Sequence, residues 1–457
     1  MATKRDGGTK RKQQEPSQLV DLFLSVAAAL GIESDRDIAS VAGMSIENVS
    51  NWKSGAVREF KPQKLSAIKR GLAARIHALQ ERARTIATDP ELGLMDVEVE
   101  QEASPAEIQR QLRDRVHYDY LGHRFLYFDP QGALAWESLI HAGYQQDQWV
   151  RGVADCAAAW LDTARDSHGG CRGPLATALG YDRRAGLRGL DVISLGPGEG
   201  GKEVVLLEQL LQRQRKAEQA LPWANLALVD VSISLLLRAA HAARAKAREV
   251  RSDAVTVMPF CSDFEEGQLA FERRLPTSRE GGEQGLRLVV ILGNVFGNLR
   301  DEEVFLHQKL QQLVRPGDML WLEVGMRPER LELDPLFRLT QPDREETAAE
   351  ANRRLLLEGP YRRWESALGR KPTRLDMRVW VREDDDASRI PGSCNFCHDL
   401  IIGDERRAVT MLYSRRYAVE GLSGWLEEHG YKVERIMQVG DPKRWPRVAH
   451  LLLRRTR

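Results

Sequence analysis

Glycines and carboxylates at the ends of apolar runs are the residues best placed for chemistry. Leu190-Asp191-Val192-Ile193-Ser194-Leu195 opens directly into Gly196-Pro197-Gly198-Glu199-Gly200-Gly201-Lys202, followed by a helical pattern. Glycine at a strand-to-helix turn lets the backbone approach a ligand with no Cβ in the way. The next apolar run ends in Val229-Asp230, where a carboxylate can accept both hydroxyls of a ribose. The third is followed by Cys261-Ser262-Asp263-Phe264, which offers an acid for an exocyclic amine beside a ring for a planar base. One such Asp is well explained as a helix cap. Side by side at successive strand tips, these groups describe a ligand crevice. Gly196, Gly198 and Gly201 also satisfy G-x-G-x-x-G, which keeps a dinucleotide open.

These groups need a scaffold. Apolar runs at 190–195, 225–230, 255–260, 287–292 and 318–324 alternate with helical patterns at 203–214, 232–249 and 301–314. Near-continuously apolar strands alternating with helices predict a parallel sheet covered on both faces. Runs at 432–438 and 448–453, separated by Gly440-Asp441-Pro442 and Trp445-Pro446, predict a closing hairpin at the sheet edge. The expected division is a basic arm (1–16), a small helical domain (17–88), an acidic linker (89–108), a split substrate lobe (109–185 and 328–415), and an α/β core (186–327) completed by 416–457. The linker rests on charge: residues 61–84 carry seven Lys/Arg against one Glu, whereas 91–107 carry six Asp/Glu and no Lys or Arg. No internal repeat is visible.

Composition narrows the function classes. The 457 residues are 42% hydrophobic and 29% charged, and 67 Lys/Arg against 66 Asp/Glu leave a net charge of +1. Such a balance gives no support to wholesale coating of nucleic acid or an acidic membrane. No apolar run reaches the roughly 18–20 residues of a membrane span, and Met1–Gln14 lack the apolar core of a signal peptide. Five scattered cysteines do not make a disulfide framework. A cytoplasmic protein is the expectation. Cys394-Asn395-Phe396-Cys397-His398 fits C-x-x-C-H, but without an export signal or a second ligand pair neither haem nor a metal is expected there.

In the 17–88 region, Ile38, Ala39, Ala42, Met44, Val49 and Trp52 fall where two short packed helices would bury them. Gly43 would sit at the turn and Ser45 at the second N-cap. This segment resembles the helix-turn-helix of phage-repressor-type DNA-binding domains, which implies DNA contacts from Ser45, Asn48, Ser50, Asn51 and Lys53. The basic stretch that follows could meet phosphates. A helical docking module without DNA binding is the competing reading, and Glu47 speaks for it.

The G-x-G loop, the acid at the second strand tip and the two late strands resemble the seven-stranded S-adenosylmethionine (SAM) methyltransferase fold. Leu195–Leu207, Val229–Ser232, Ser262-Asp263-Phe264 and Gly293-Asn294-Val295-Phe296-Gly297-Asn298 further resemble the histidine-specific methyltransferases of ergothioneine formation. The likeness extends in element order over roughly residues 120–455. It implies SAM as cofactor, held by Gly196, Gly198, Lys202, Asp230, Asp263, Phe264 and Gly293. It also implies that Asn298 and Tyr144 position the acceptor in catalysis, with Phe128-Asp129-Pro130-Gln131-Gly132 in the substrate lobe. The family's imidazole-gripping E-x-S aligns with Leu412 and Ser414. A leucine cannot accept a hydrogen bond from an imidazole N–H, which speaks against histidine as substrate. Tyr413, Arg415 and Arg416 are candidates for a reshaped pocket. A nucleic-acid amino-methyltransferase would carry [DN]-P-P-[YFW] after the fourth strand, where this chain has Gly-Asn-Val-Phe. The expected function is therefore methyl transfer to an amino-acid-like small molecule. Two alternatives stand: a DNA-binding regulator that senses SAM without catalysis, and an enzyme that methylates a protein or peptide.

Overall fold

The computed structural model describes residues 27, 34–42, 44–54, 68, 70–72, 97–141, 146–182, 187–217, 221–250, 255–275, 285–341, 347–383, 388–441 and 445–457. The expected arm at 1–16, Gly43, most of the basic stretch 61–84 and Tyr144 lie outside the described residues. The chain divides into two compact units, Met1–Met95 and Asp96–Arg457.

In the smaller unit, helices Asp35–Ala42 and Ile46–Lys53 bury Ile38, Ala39, Ala42, Val49 and Trp52 in one core with Ala27 and Ile68. Ser34 caps the first helix by accepting from the Asp37 N–H at 3.1 Å. Ser45 stands at the N-cap of the second, but its side chain makes no capping hydrogen bond. Ser45, Asn48, Ser50 and Lys53 are exposed and Asn51 is half-buried. The Lys53 ammonium pairs with Asp35 at 2.5 Å, so this cation is already matched within the unit.

The larger unit is built on an eight-stranded sheet. Its strands are β1 (Glu98–Val99), β2 (Leu190–Leu195), β3 (Ala224–Asp230), β4 (Val255–Cys261), β5 (Leu286–Ile291), β6 (Met319–Gly325), β10 (Tyr431–Val439) and β11 (Val448–Arg455), in the order β1-β4-β3-β2-β5-β6-β11-β10. β1 to β6 pair parallel, and β11 runs antiparallel between β6 and β10. Every residue of β2, β3, β5 and β6 is buried, because helices cover both faces. Ser232 caps helix Ile233–Glu249 by accepting from the Leu235 N–H, placing that helix directly behind the Asp230 tip.

One expectation needs correction. Residues 97–108 do not form a solvated linker: β1 pairs with β4, and helix Pro105–Arg115 follows with its own Ser104 cap. The acids there have internal work. Glu100 accepts from the Ser262 hydroxyl at 2.6 Å and the Phe271 N–H at 3.0 Å, and Glu102 accepts from Gln268. The described residues of 328–415 form regular elements. Helix Ala348–Ala367 opens with a Thr347/Glu350 capping box and leads into a three-stranded antiparallel sheet of β7 (Leu375–Arg382), β8 (Cys394–Ile402) and β9 (Arg407–Arg416). A bridge between Tyr120 and Thr410 joins that sheet to the leading segment of the unit. All five cysteines are free and buried. Cys394 and Cys397, three apart on β8, fall on opposite faces of the strand and cannot share an ion. Among the described residues no helix is long and apolar enough to cross a membrane.

Candidate functional site

At the carboxyl ends of β2, β3, β5 and β6 lies a cleft of about 380 Å³. Gly196, Gly198, Lys202, Asp230, Phe264, Gly293 and Asn298 all line it. The loop after β2 can turn so tightly because Gly196, Gly198 and Gly200 have φ of 69°, 57° and 80°, which side-chain-bearing residues rarely adopt. Gly293 (φ 73°) and Asn294 (φ 62°) make the corresponding turn after β5. Asn tolerates this conformation because its short amide bonds locally. Here it accepts from the Gly325 N–H at 2.8 Å, fastening the loop after β5 to the tip of β6. A Cβ on Gly297 would lie 2.7 Å from that amide, so the turn requires glycine at both ends.

Asp230 is the acid of the second tip. Its carboxylate accepts from the Ser232 N–H at 2.9 Å and the Gly198 N–H at 3.3 Å, which ties it to the glycine loop. Burial pushes this carboxyl up to about 6, against those two backbone bonds. Each oxygen keeps a lone pair for a further donor. Nearby, burial pushes Glu203 up to about 7, although the Ser194 hydroxyl donates to it at 2.8 Å. Lys202 pairs with Glu323 of β6 at 2.5 and 2.6 Å. Burial would raise Glu323, but Lys202, His450 and hydrogen bonds together hold it below its ordinary value. His450 faces Glu323 across the β6–β11 pair, and burial pushes it down to about 4.

Asp263 is placed differently from the expectation of a base-reading acid. It does not line the cleft: one oxygen accepts from the Glu265 and Glu266 N–H groups at 3.1 Å, and the other is paired with Arg124. Its work is to cap this turn and anchor Arg124. Phe264, beside it, presents its ring to the cleft against His123, with ring centres 6.3 Å apart.

Leu412 and Ser414 also lie outside the cleft lining. Arg416, two residues further along the same face of β9, does line it, paired through Nε with the buried Asp334 carboxylate at 2.7 Å. Of its neighbours, Tyr413 stacks on Tyr120 with ring centres 5.2 Å apart, and buried Arg415 pairs with Glu302 at 3.2 Å. Arg415 also donates to the Leu299 and Arg300 carbonyls, clamping β9 to the end of the Asn298 turn. Sequence reasoning missed His123, Tyr127, Trp136, Trp149, Asp334 and Arg353, all of which line the cleft. Trp136 alone carried a usable signal, following the quoted Phe128–Gly132 motif by one helical turn.

The parts fit a nucleoside with an amino-acid tail. The glycine turns leave open walls, since a Cβ on Gly198 would meet only Trp136 Nε1 at 3.6 Å and one on Gly293 only Lys202 at 3.9 Å. The Asp230 carboxylate and the Phe264 ring stand alongside. Residues 180–334 match the family model described as histidine-specific methyltransferase, SAM-dependent. Among solved structures, the chain is similar to the CcbJ methyltransferase from Streptomyces caelestis (14% identity, 68% of this chain and 96% of that chain, TM-score 0.30). It is also similar to magnesium protoporphyrin IX methyltransferase from Synechocystis PCC 6803 with bound SAH (15%, 72% and 96%, TM-score 0.31). A third is the Burkholderia thailandensis 1,6-didemethyltoxoflavin-N1-methyltransferase (12%, 71% and 88%, TM-score 0.32). The curated proteins contain no match. The α/β core is that of a SAM-dependent methyltransferase, an enzyme with SAM as its cofactor.

Proposed function

We propose that this enzyme methylates an amino-acid-like small molecule bound in the same cleft as SAM. One observation carries the reading: the glycine loop and Asp230 share their cleft with the Arg416–Asp334 pair, Arg353 and the rings of Tyr127, Trp136 and Trp149. Opposite charges set beside each other suit a zwitterion, and aromatic walls suit an apolar or planar side chain. Histidine itself is disfavoured, because Leu412 stands where the family grips the imidazole and the cleft-facing position on β9 passes to Arg416.

SAM supplies a methyl group on a positively charged sulfur, so the chain needs no nucleophile of its own. Gly196, Gly198 and Gly293 offer backbone to the cofactor, and Asp230 takes the ribose hydroxyls. Phe264 flanks the base. Asn298, half-buried on the turn after β5, orients the acceptor, while the aromatic walls exclude water and hold the acceptor in line. The test is calorimetry with S-adenosylhomocysteine followed by transfer of labelled methyl to a panel of amino acids and their derivatives. Arg416→Ala should lower acceptor turnover at least about tenfold, the loss of a charge-assisted contact, and leave cofactor affinity within about twofold. Label found only in macromolecules, or nowhere, overturns the substrate class.

For helices 35–42 and 46–53 we propose a DNA- or partner-docking role, supported by the exposed Asn48 and Ser50 on the second helix. Binding to duplex DNA that weakens with salt and on Asn48→Ala is the expected result; a salt-independent, DNA-free interaction identifies a protein partner instead.

A further inference from the structure

Glu303, His307 and His429 stand apart from the cleft and serve none of the chemistry above. One ligand atom from each, a carboxylate oxygen and two imidazole nitrogens, lie within 4.8 Å of one another. Glu303 and His307 are four apart on the helical run 302–313, where that spacing shares a face. The run contains a π turn at Leu306–Leu310, a geometry that recurs at functional sites. His429 caps the end of helix Val419–Glu428, where the helix dipole favours positive charge.

The imidazoles are also held by their outer partners. His429 Nδ1 lies 2.7 Å from the Trp425 carbonyl, which can only accept. Nδ1 therefore carries the proton, and the lone pair sits on Nε2, as in ligands of bound metal ions. At His307 the Gln311 amide nitrogen, a donor, lies 3.2 Å from Nδ1, so a metal on Nε2 requires this amide to turn over and accept from Nδ1–H with its oxygen. The two rings have centres 5.2 Å apart. Below them Phe305, Leu306, Leu310, Leu422, Trp425 and Leu426 are buried in one shared core, so the three ligands stand on a rigid base. Arg389 contacts Oε2 of Glu303 at 2.5 Å, which leaves Oε1 for a second partner.

We propose that Glu303, His307 and His429 bind one divalent transition-metal ion of the Zn²⁺ type. Two imidazoles and one carboxylate make a borderline-soft donor set, and water completes a tetrahedron. The ion cross-links the helix before β6 to the helix before β10, two elements far apart in the chain. Its contribution is to stability and does not touch the methyl-transfer reaction.

The test uses the full, untagged protein stripped with chelator and titrated with Co²⁺ and then Zn²⁺. One equivalent of Co²⁺ should give the intense visible bands of four-coordination, which Zn²⁺ then displaces, and Zn²⁺ should raise the melting temperature. His307→Ala and His429→Ala should each weaken Zn²⁺ binding more than tenfold and abolish the rise in melting temperature. S-adenosylhomocysteine affinity should stay within twofold in both. Absence of stoichiometric binding in the wild type overturns the site. So does equal Zn²⁺ affinity in the wild type and His307→Ala, because the ion then sits elsewhere, for instance on the cysteines. Should His429→Ala unfold, through its contact with Trp425, the exposed His307 still decides the matter.

Discussion

Asp230 shows how one position can be read from sequence while its electrostatics cannot. The end of an apolar run beside a glycine loop is a local pattern, so the position of Asp230 at the cleft was legible. Its burial, and the rise to about 6 that follows, depend on the Gly198 and Ser232 backbone and on helix Ile233–Glu249 behind it. Under the proposed contact, ribose hydroxyls donate to the ionised carboxylate, so cofactor affinity should fall as pH drops from about 7.5 to about 5, through the raised value. Calorimetry across that range checks it. Asp230→Asn should weaken binding about tenfold at pH 7.5 and remove the part of the slope centred near 6. A residual slope near 7 would belong to Glu203. Lys202 gives a second expectation. Lys202→Met strands the buried Glu323 carboxylate and should cost about 3 kcal/mol in urea unfolding at neutral pH. Because the Glu323 pKa is lowered in the folded wild type, its pairing is lost as pH falls below the ordinary carboxylate range, and the two proteins should then converge. At Asp263 the strand-end position was legible, but the pairing with Arg124 was not, because that partner lies far away in the chain.

At the scale of elements, the apolar runs of β2 to β6 were legible because burial on both faces leaves no polar interruptions. β7 hid for the opposite reason. Its Leu375–Arg382 sequence alternates charge with apolar residues and offers no long apolar run to mark a strand. β1 is too short to show a period, and its acidic surroundings read as a linker because their partners, Ser262 and Phe271, are distant in the chain. Helix packing makes its own demand at Gly200. A Cβ there would lie 2.7 Å from Ala239 Cα and Cβ, at a φ of 80°. Gly200→Ala should therefore push helix 201–217 away from helix 233–249 and destabilise the fold by about 3 kcal/mol, combining overpacking with left-handed strain. Chemical denaturation measures it. The β9 clamp is comparable: Arg415→Ala leaves Glu302 buried without its cation, for an expected loss of about 3–5 kcal/mol.

For the whole molecule, the division at Met95/Asp96 carries a simple expectation. Every residue lining the cleft falls within 96–457, so a protein starting at Asp96 should bind S-adenosylhomocysteine within about twofold of the full chain, by calorimetry. What sequence could not show at this scale is how the cleft is assembled. His123, Trp136, Arg353 and Arg416 reach one cleft from separate stretches, and no local pattern announces that meeting. Such assembly makes occupancy a timer. A wall drawn from His123 at one extreme and Val448 at the other cannot close until the most distant pairings, β6 with β11 among them, have formed. Nucleoside capture during refolding should thus emerge late, after helical signal has recovered, and no shorter peptide spanning the glycine loop should retain it.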